Sequence, residues 1–366
     1  MKAVRIHSYG GADVLRYEDA PEPKIGDDDV LIRVVGSSVN PIDWKVREGY
    51  LRGMIRHVLP FTPGWDISGV VHAVGRNASK FQVGDAVYGR PDVARDGTYA
   101  EFIAVRESEL ALKPRTISHI EAAALPLAGI AAWESLITVG KVAAGQRVLV
   151  HAAAGGVGSL AVQIAKARGA YVVGTGSAGS RTLIESLHAD EFVDHHSQQL
   201  QDIAGNMNLV FDTIGGATQE ASWSLLASNG ILVSITDPPS QERARKLGVR
   251  AVFVFIQPNA PVLEQMAQWV NGGVLRPVIG AEFALSDIRQ AHALSEVGSR
   301  AGKDRALRRR ALGRLRVLNF FRCQAWSHGH SSFRQISKSH LSEGRRLPLT
   351  ICPGRARAAL SPRRAR

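Results

Sequence analysis

The segment that most restricts this chain begins at Arg147. An apolar run, Val148-Leu149-Val150, leads into the small-residue turn Ala152-Ala153-Ala154-Gly155-Gly156-Val157-Gly158, and residues 159–168 then read as a helix. Strand, tight turn and helix in that order open a βαβ unit, which can bury its strand only if further parallel strands flank it. Apolar runs at 171–175, 209–212, 231–235 and 251–255 supply them, with a helix expected over 181–187. Alternation of this length implies a doubly wound parallel sheet.

Residues 1–120 follow another pattern. Runs rich in β-branched and aromatic residues at 30–35, 67–71 and 99–105 are separated by Gly26-Asp27-Asp28-Asp29, Val83-Gly84-Asp85 and similar clusters, as in an antiparallel, barrel-like domain. The change comes near Ser118, where the Ala-rich stretch 119–125 reads as a helix, and a later helix over 261–270 leads back towards the first domain. A length of 366 residues is enough for two cores.

The turn after Val150 has the form of a dinucleotide-binding loop. Gly155 would let the backbone approach a pyrophosphate, Gly158 would let the helix pack on the strand, and Ala154, Gly156 and Val157 would complete the cradle at the helix start, where free N–H groups and the helix dipole favour phosphate. Ala153 stands where the first glycine of the usual motif would be, so the loop alone also suits a structural turn. A site for the cofactor without a 2′-phosphate generally has Asp or Glu about 20 residues on. Here no acid occurs from Ser159 to Ile184, and Ser177 and Arg181 lie at the expected place. A hydroxyl and a guanidinium suit a 2′-phosphate, which points to NADPH. Arg181 also fits a solvated residue at a helix start.

Several motifs in order resemble the medium-chain dehydrogenase/reductase superfamily, and within it the zinc-independent quinone oxidoreductases. They are Val39-Asn40-Pro41-Ile42-Asp43-Trp44-Lys45, Pro63-Gly64-Trp65-Asp66 with Gly69-Val70-Val71, Gly97-Thr98-Tyr99-Ala100-Glu101, Ala124-Leu125-Pro126, the glycine turn with Gln163-Ile164-Ala165-Lys166, and Asp212-Thr213-Ile214-Gly215-Gly216. The resemblance covers 1–303. It implies an α/β protein with a GroES-like β-barrel catalytic domain over 1–120, completed by 259–303, and a Rossmann doubly wound parallel-sheet domain over 121–258. It also implies that Asp212 and Thr213 pass beneath the nicotinamide ribose. His195 falls where the family often has tyrosine by the adenosine, and it either touches the cofactor or is simply exposed; Ile235 and Phe255 are further cofactor-binding candidates. Ala131-Ala132 stand where many relatives have a threonine contacting the nicotinamide.

Zinc dehydrogenases of this fold need Cys and His ligands. Residues 1–303 contain no cysteine, Gly64-Trp65-Asp66 has no histidine, and 85–97 is too short for a four-cysteine lobe, so no metal is expected. Without a Lewis acid, a quinone or conjugated enone is the better acceptor, because it takes hydride directly and needs mainly orientation and a donor for the developing oxyanion. Asn40 and Lys45 are candidates for the polar side of that cleft, with Asp43 holding the loop or Lys45; Asn40-Pro41 and Asp43 also suit a plain turn. Tyr50 is a further candidate proton donor. The rival readings are a 2-enoyl thioester reductase and a redox-inactive relative that binds NADPH, or RNA through its tail.

The formal charge of +12 is misleading as a guide to partners. Residues 304–366 hold 16 Lys/Arg against 2 Asp/Glu, so 1–303 is close to neutral. Both cysteines, Cys323 and Cys352, lie in the same stretch, and 15 of its 63 residues are arginine. Nucleic acid is therefore not expected as a partner, and 304–366 reads as a disordered extension from a shifted reading frame. Asp304-Arg305-Ala306 written gat-cgt-gct becomes Ile-Val-Leu when one nucleotide is removed, which would restore a last strand. No apolar run approaches the roughly 18 residues of a membrane span. A cytosolic homodimer is the expected form.

Overall fold

The computed structural model describes residues 1–198, 205–297 and 316–318. Strands β1 (Lys2–Ile6) and β2 (Leu15–Asp19) form an antiparallel pair. A seven-stranded sheet has as its core β3 (Asp29–Ser38), β4 (Ile67–Val74), β5 (Ala86–Gly89) and β7 (Leu110–Leu112), while β6 (Phe102–Arg106) pairs with β3. These pairings are antiparallel, as the turn-punctuated sequence led us to expect.

The second sheet has six parallel strands: β8 (Arg147–Val150), β9 (Tyr171–Gly176), β10 (Glu191–Asp194), β11 (Met207–Asp212), β12 (Leu226–Ser234) and β13 (Arg250–Phe253), in the order β10-β9-β8-β11-β12-β13. Successive side chains leave opposite faces, so two apolar layers form. Val148, Val150, Val172, Leu209, Phe211 and Val233 join one core. Leu149, Val173, Val210 and Leu232 join the other. This is the dinucleotide-binding strand order, in which consecutive units run outward from β8 in one direction and from β11 in the other.

Helices α1 (Pro41–Arg47), α2 (His119–Ala123) and α3 (Pro126–Trp133) precede the parallel sheet in the chain. Helices α4 (Gly156–Ala167), α5 (Arg181–Ser186), α6 (Gly216–Ser222) and α7 (Gln241–Leu247) lie in its crossovers. Helix α4 starts at Gly156, three residues earlier than the periodicity suggests, because two glycines in its first turn mask a helical backbone behind low helix propensity. Helix α8 (Ala260–Asn271) packs on α3 at Gly129, where a Cβ would stand 2.7 Å from the Met266 sulfur.

Strand β14 (Glu282–Ala284) precedes α9 (Ile288–Val297). Arg316–Leu318 forms β15, antiparallel to β14 and parallel to β3, with Val317 opposite both Phe283 and Ser37. Sequence reading assigned no strand to this stretch. Its sequence lacks any long apolar period, but a three-residue slot beside β3 requires only extended backbone. The rest of 304–366, and with it the remainder of the reading-frame expectation, lies outside the described residues.

Candidate active site

The glycine turn sits at the carboxyl end of β8, next to β11, where the winding direction reverses. It is tied to β9: Ala153 N–H donates to the Thr175 carbonyl at 2.8 Å, and Ala152 N–H reaches Thr175 Oγ1 at 3.3 Å. Ala152 itself takes the left-handed φ of 47° that usually falls to glycine. Ala153 is accommodated at the first motif position because it lies against Gly174 of β9, where a Cβ would stand only 3.0 Å from that of Ala153. Gly155 is the N-cap of α4 and offers no side-chain cap. The first amides of the helix are therefore left for an outside acceptor. Gly158 presses on the turn: a Cβ there would stand 2.9 Å from Ala153 Cα.

The other nucleotide candidates lie along the same edge of the sheet. Ser177 follows β9 and caps a short turn whose Ser180 hydroxyl donates to the Ser177 carbonyl at 2.7 Å. Arg181, exposed at the start of α5, stacks on Phe192 at 4.3 Å and pairs with Glu185 at 3.2 Å. His195 follows β10 and its Nδ1 lies 2.7 Å from the Gly176 carbonyl. Ile235 follows β12, and half-exposed Phe255 comes two residues after β13.

Asp212 is fully buried and fully occupied. Its Oδ1 accepts the Ile214 and Gly215 amides at 3.0 and 2.8 Å, and its Oδ2 accepts Gln219 Nε2 and the Ser234 hydroxyl at 2.9 and 2.8 Å. It shapes the loop after β11, in which Gly215 holds a φ of 81° that brings it against Thr236. Thr213 Oγ1 donates to the His151 carbonyl at 2.7 Å, joining that loop to the glycine turn. His151 is buried between Thr175 and Ser222, and burial pushes its pKa down to about 4, as expected for a structural neutral imidazole.

Around α1 the fold gathers a second group. Asn40 and Asp43 are buried, and the Asp43 carboxyl accepts Asn40 N–H at 2.6 Å and the Tyr99 hydroxyl at 2.7 Å. Asn40 Nδ2 donates to Ser38 Oγ at 3.0 Å and to Asp66 at 2.7 Å; the Ser38 hydroxyl also bonds Asp66, whose other oxygen accepts the Leu127 amide of α3 at 2.6 Å. Burial raises Asp43 to about 8 and Asp66 to about 6, in each case against hydrogen bonds that favour the ionised form. Asp43 thus holds the loop and Tyr99. Lys45, two residues further along α1, lies near enough to Asp237, beyond β12, to lower its pKa against the larger effect of burial. Asn40 and Asp43 are thus in direct contact, and Lys45 is placed near the loop that follows β12.

Sequence reading missed Ser38, Asp66, Arg90 and Tyr99 as members of this group. Asp66 directly precedes β4 and Arg90 directly follows β5; a charge abutting an apolar strand was the available signal. Behind them, fully buried Arg47 bonds the Gly10 carbonyl, Glu48 and Glu296, and approaches His292, fixing α1 against α9. His292 stands edge-on to Tyr99, its pKa pushed down to about 3 by burial and Arg47. Among the described residues, no cluster of three or more His, Cys, Asp or Glu is arranged to hold a metal.

Residues 26–115 match the alcohol dehydrogenase GroES-like domain, and residues 187–303 match a family described as zinc-binding dehydrogenase. The chain is 35% identical over 317 residues to 2-methylene-furan-3-one reductase of Solanum lycopersicum, covering 83% of this chain and 78% of the relative. The chain belongs to the medium-chain dehydrogenase/reductase superfamily, quinone oxidoreductase type. Another member of the superfamily, the chloroplastic NADPH-dependent alkenal/one oxidoreductase of Arabidopsis thaliana, is likewise 35% identical, with the same coverage. A solved quinone oxidoreductase from Coxiella burnetii superposes with a TM-score of 0.75 at 32% identity, over 80% of this chain and 95% of that one. The superfamily's GroES-like and Rossmann domains correspond to the seven-stranded and six-stranded sheets of this fold.

Proposed function

We propose that this chain is an NADPH-dependent, zinc-independent oxidoreductase that reduces quinones or α,β-unsaturated carbonyl compounds. The carrying observation is the uncapped N-terminus of α4 at the switch point between β8 and β11, with Gly158 clearing space and no carboxylate from Ser159 to Ile184. This fits a pyrophosphate at Ala154, Gly155, Gly156, Val157 and Gly158, and a 2′-phosphate near Ser177 and Arg181. The activities named for the plant and bacterial relatives agree with it.

Reduced nicotinamide, when bound, supplies hydride. The protein's part is to orient both partners and to stabilise charge. Asp212, through the Gly215 and Ser234 contacts, fixes the floor of the cofactor cleft. Asn40 and Lys45 form the polar wall facing it, and Asp43 holds that wall through Asn40 N–H and Tyr99. Tyr50 is about half exposed, so the closing proton comes from it or from solvent. Residues 1–120 with 259–303 would carry the polar wall, and 121–258 the cofactor. Among the described residues no helix is long and apolar enough to cross a membrane. A cytosolic homodimer is the form we propose, to be checked by light scattering and fractionation.

The experiment is a panel of quinones and enones followed by NADPH absorbance, with NADH in parallel. Turnover on at least one acceptor, with NADPH preferred, supports the reading; NADPH binding without turnover on any of them refutes it.

A further inference from the structure

The polar wall holds a cation that the proposed function leaves unused. Ile67 and Leu110 both pair with Gly89, so the residues just past that rung, Asp66, Arg90 and Glu109, come side by side at one end of the sheet. Arg90 is 3% exposed, and its Nε and Nη1 have no hydrogen-bond partner. A guanidinium remains charged even when buried, and unpaired buried N–H groups on a charge are costly. The acids around it are Asp66, Asp92, Glu109 and Asp43. Three are engaged elsewhere: Asp66 with Ser38, Asn40 and Leu127, Glu109 with Arg106 and the Asp92 amide, and Asp92 with Arg106 and the Ala94 amide. They stabilise the cation by their field and leave its donors open. Near the same Asp66, Asn40 Oδ1 and Asp43 Oδ1 are also buried without partners.

We propose that Arg90 is a catalytic residue whose guanidinium donates to the carbonyl oxygen of the substrate, in the role that a metal ion would otherwise fill. This rests on the oxidoreductase reading. Hydride from reduced nicotinamide forms a C–H bond at the far carbon of the conjugated system. The displaced π pair settles on the carbonyl oxygen, the nicotinamide is oxidised by two electrons, and a proton from Tyr50 or solvent completes the product. An oxygen that is neutral in the substrate and anionic in the transition state gains most from a preorganised cation with open donors. A resident carboxylate ion-paired to Arg90 would have used those donors up.

The test compares wild type with Arg90→Met and Arg90→Lys in the full chain. Loss of an oxyanion donor should lower kcat by about 10²–10³-fold in Arg90→Met, with NADPH affinity and melting temperature close to wild type. Arg90→Lys, which keeps the charge without the fork, should fall between them. The probe 4-nitrophenol, added to the NADP⁺-loaded enzyme below its own ionisation pH, should bind wild type as the yellow phenolate and bind Arg90→Met as the colourless phenol. A kcat within about threefold of wild type in Arg90→Met, or an equally ionised probe, overturns the proposal. If Arg90→Met does not fold, Arg90→Lys decides: unchanged kcat together with an unchanged probe spectrum overturns it. Absence of wild-type turnover on every acceptor would instead refute the oxidoreductase reading, and the probe spectrum would still report on Arg90.

Discussion

Gly158 and Ala153 pack so closely that a Cβ on Gly158 would stand 2.9 Å from Ala153 Cα, with the Ala152 carbonyl nearer still. The obstruction is backbone and cannot rotate away. Gly158→Val should therefore displace the start of α4, costing about 1–3 kcal/mol of stability, and should weaken NADPH by at least about tenfold by moving the amides intended for phosphate. Thermal melts and fluorescence titration with NADPH would measure both effects.

Arg181 supplies a second prediction. Its guanidinium lies over Phe192 and pairs only loosely with exposed Glu185, so it is free to turn to a 2′-phosphate. Arg181→Asp should weaken NADPH by about 10–100-fold, the worth of one charge-assisted contact, with little change for NADH. Equal loss for both cofactors would remove the 2′-phosphate assignment.

The Asp43 carboxyl gives a pH prediction. Its pKa is raised by burial to about 8, so between about pH 4 and 8 the folded protein holds a proton that the unfolded chain has released. Stability from this group is fully present below about pH 4 and is lost as pH rises towards 8. Asp43→Asn keeps acceptors for Asn40 N–H and the Tyr99 hydroxyl without an ionisable group. Its melting temperature should fall less steeply than that of wild type over this range, and parallel curves would contradict the assignment.

Much of this architecture is legible in the sequence. Val148-Leu149-Val150 and its parallel neighbours are apolar at consecutive positions because both faces are covered, and the glycine turn is a local signal with a local cause. The polar row is different. Ser38, Asp66, Arg90 and Glu109 are 19 to 28 residues apart, and only the antiparallel register of β3, β4, β5 and β7 makes them neighbours. Burial makes them consequential, and burial of a lone charged residue beside a strand end has no periodicity to reveal it. Val317 likewise reached the sheet from a stretch with no strand pattern, because pairing beside β3 is satisfied by backbone.

With no cysteine in 1–303 and no metal-holding cluster among the described residues, chelation should leave activity unchanged, and elemental analysis should find no stoichiometric zinc. A zinc content near one per chain, lost together with activity on chelation, would overturn the zinc-independent reading.

The most direct test follows the hydride itself. NADPH deuterated at nicotinamide C4, on the face that the enzyme uses, is mixed with chelator-treated enzyme and an enone, and the product is analysed by mass spectrometry and NMR. Direct hydride transfer predicts one deuterium at the β-carbon and a solvent-derived hydrogen at the α-carbon. Product without deuterium from either C4 face, or NADPH left unconsumed by every enone and quinone tried, would contradict it.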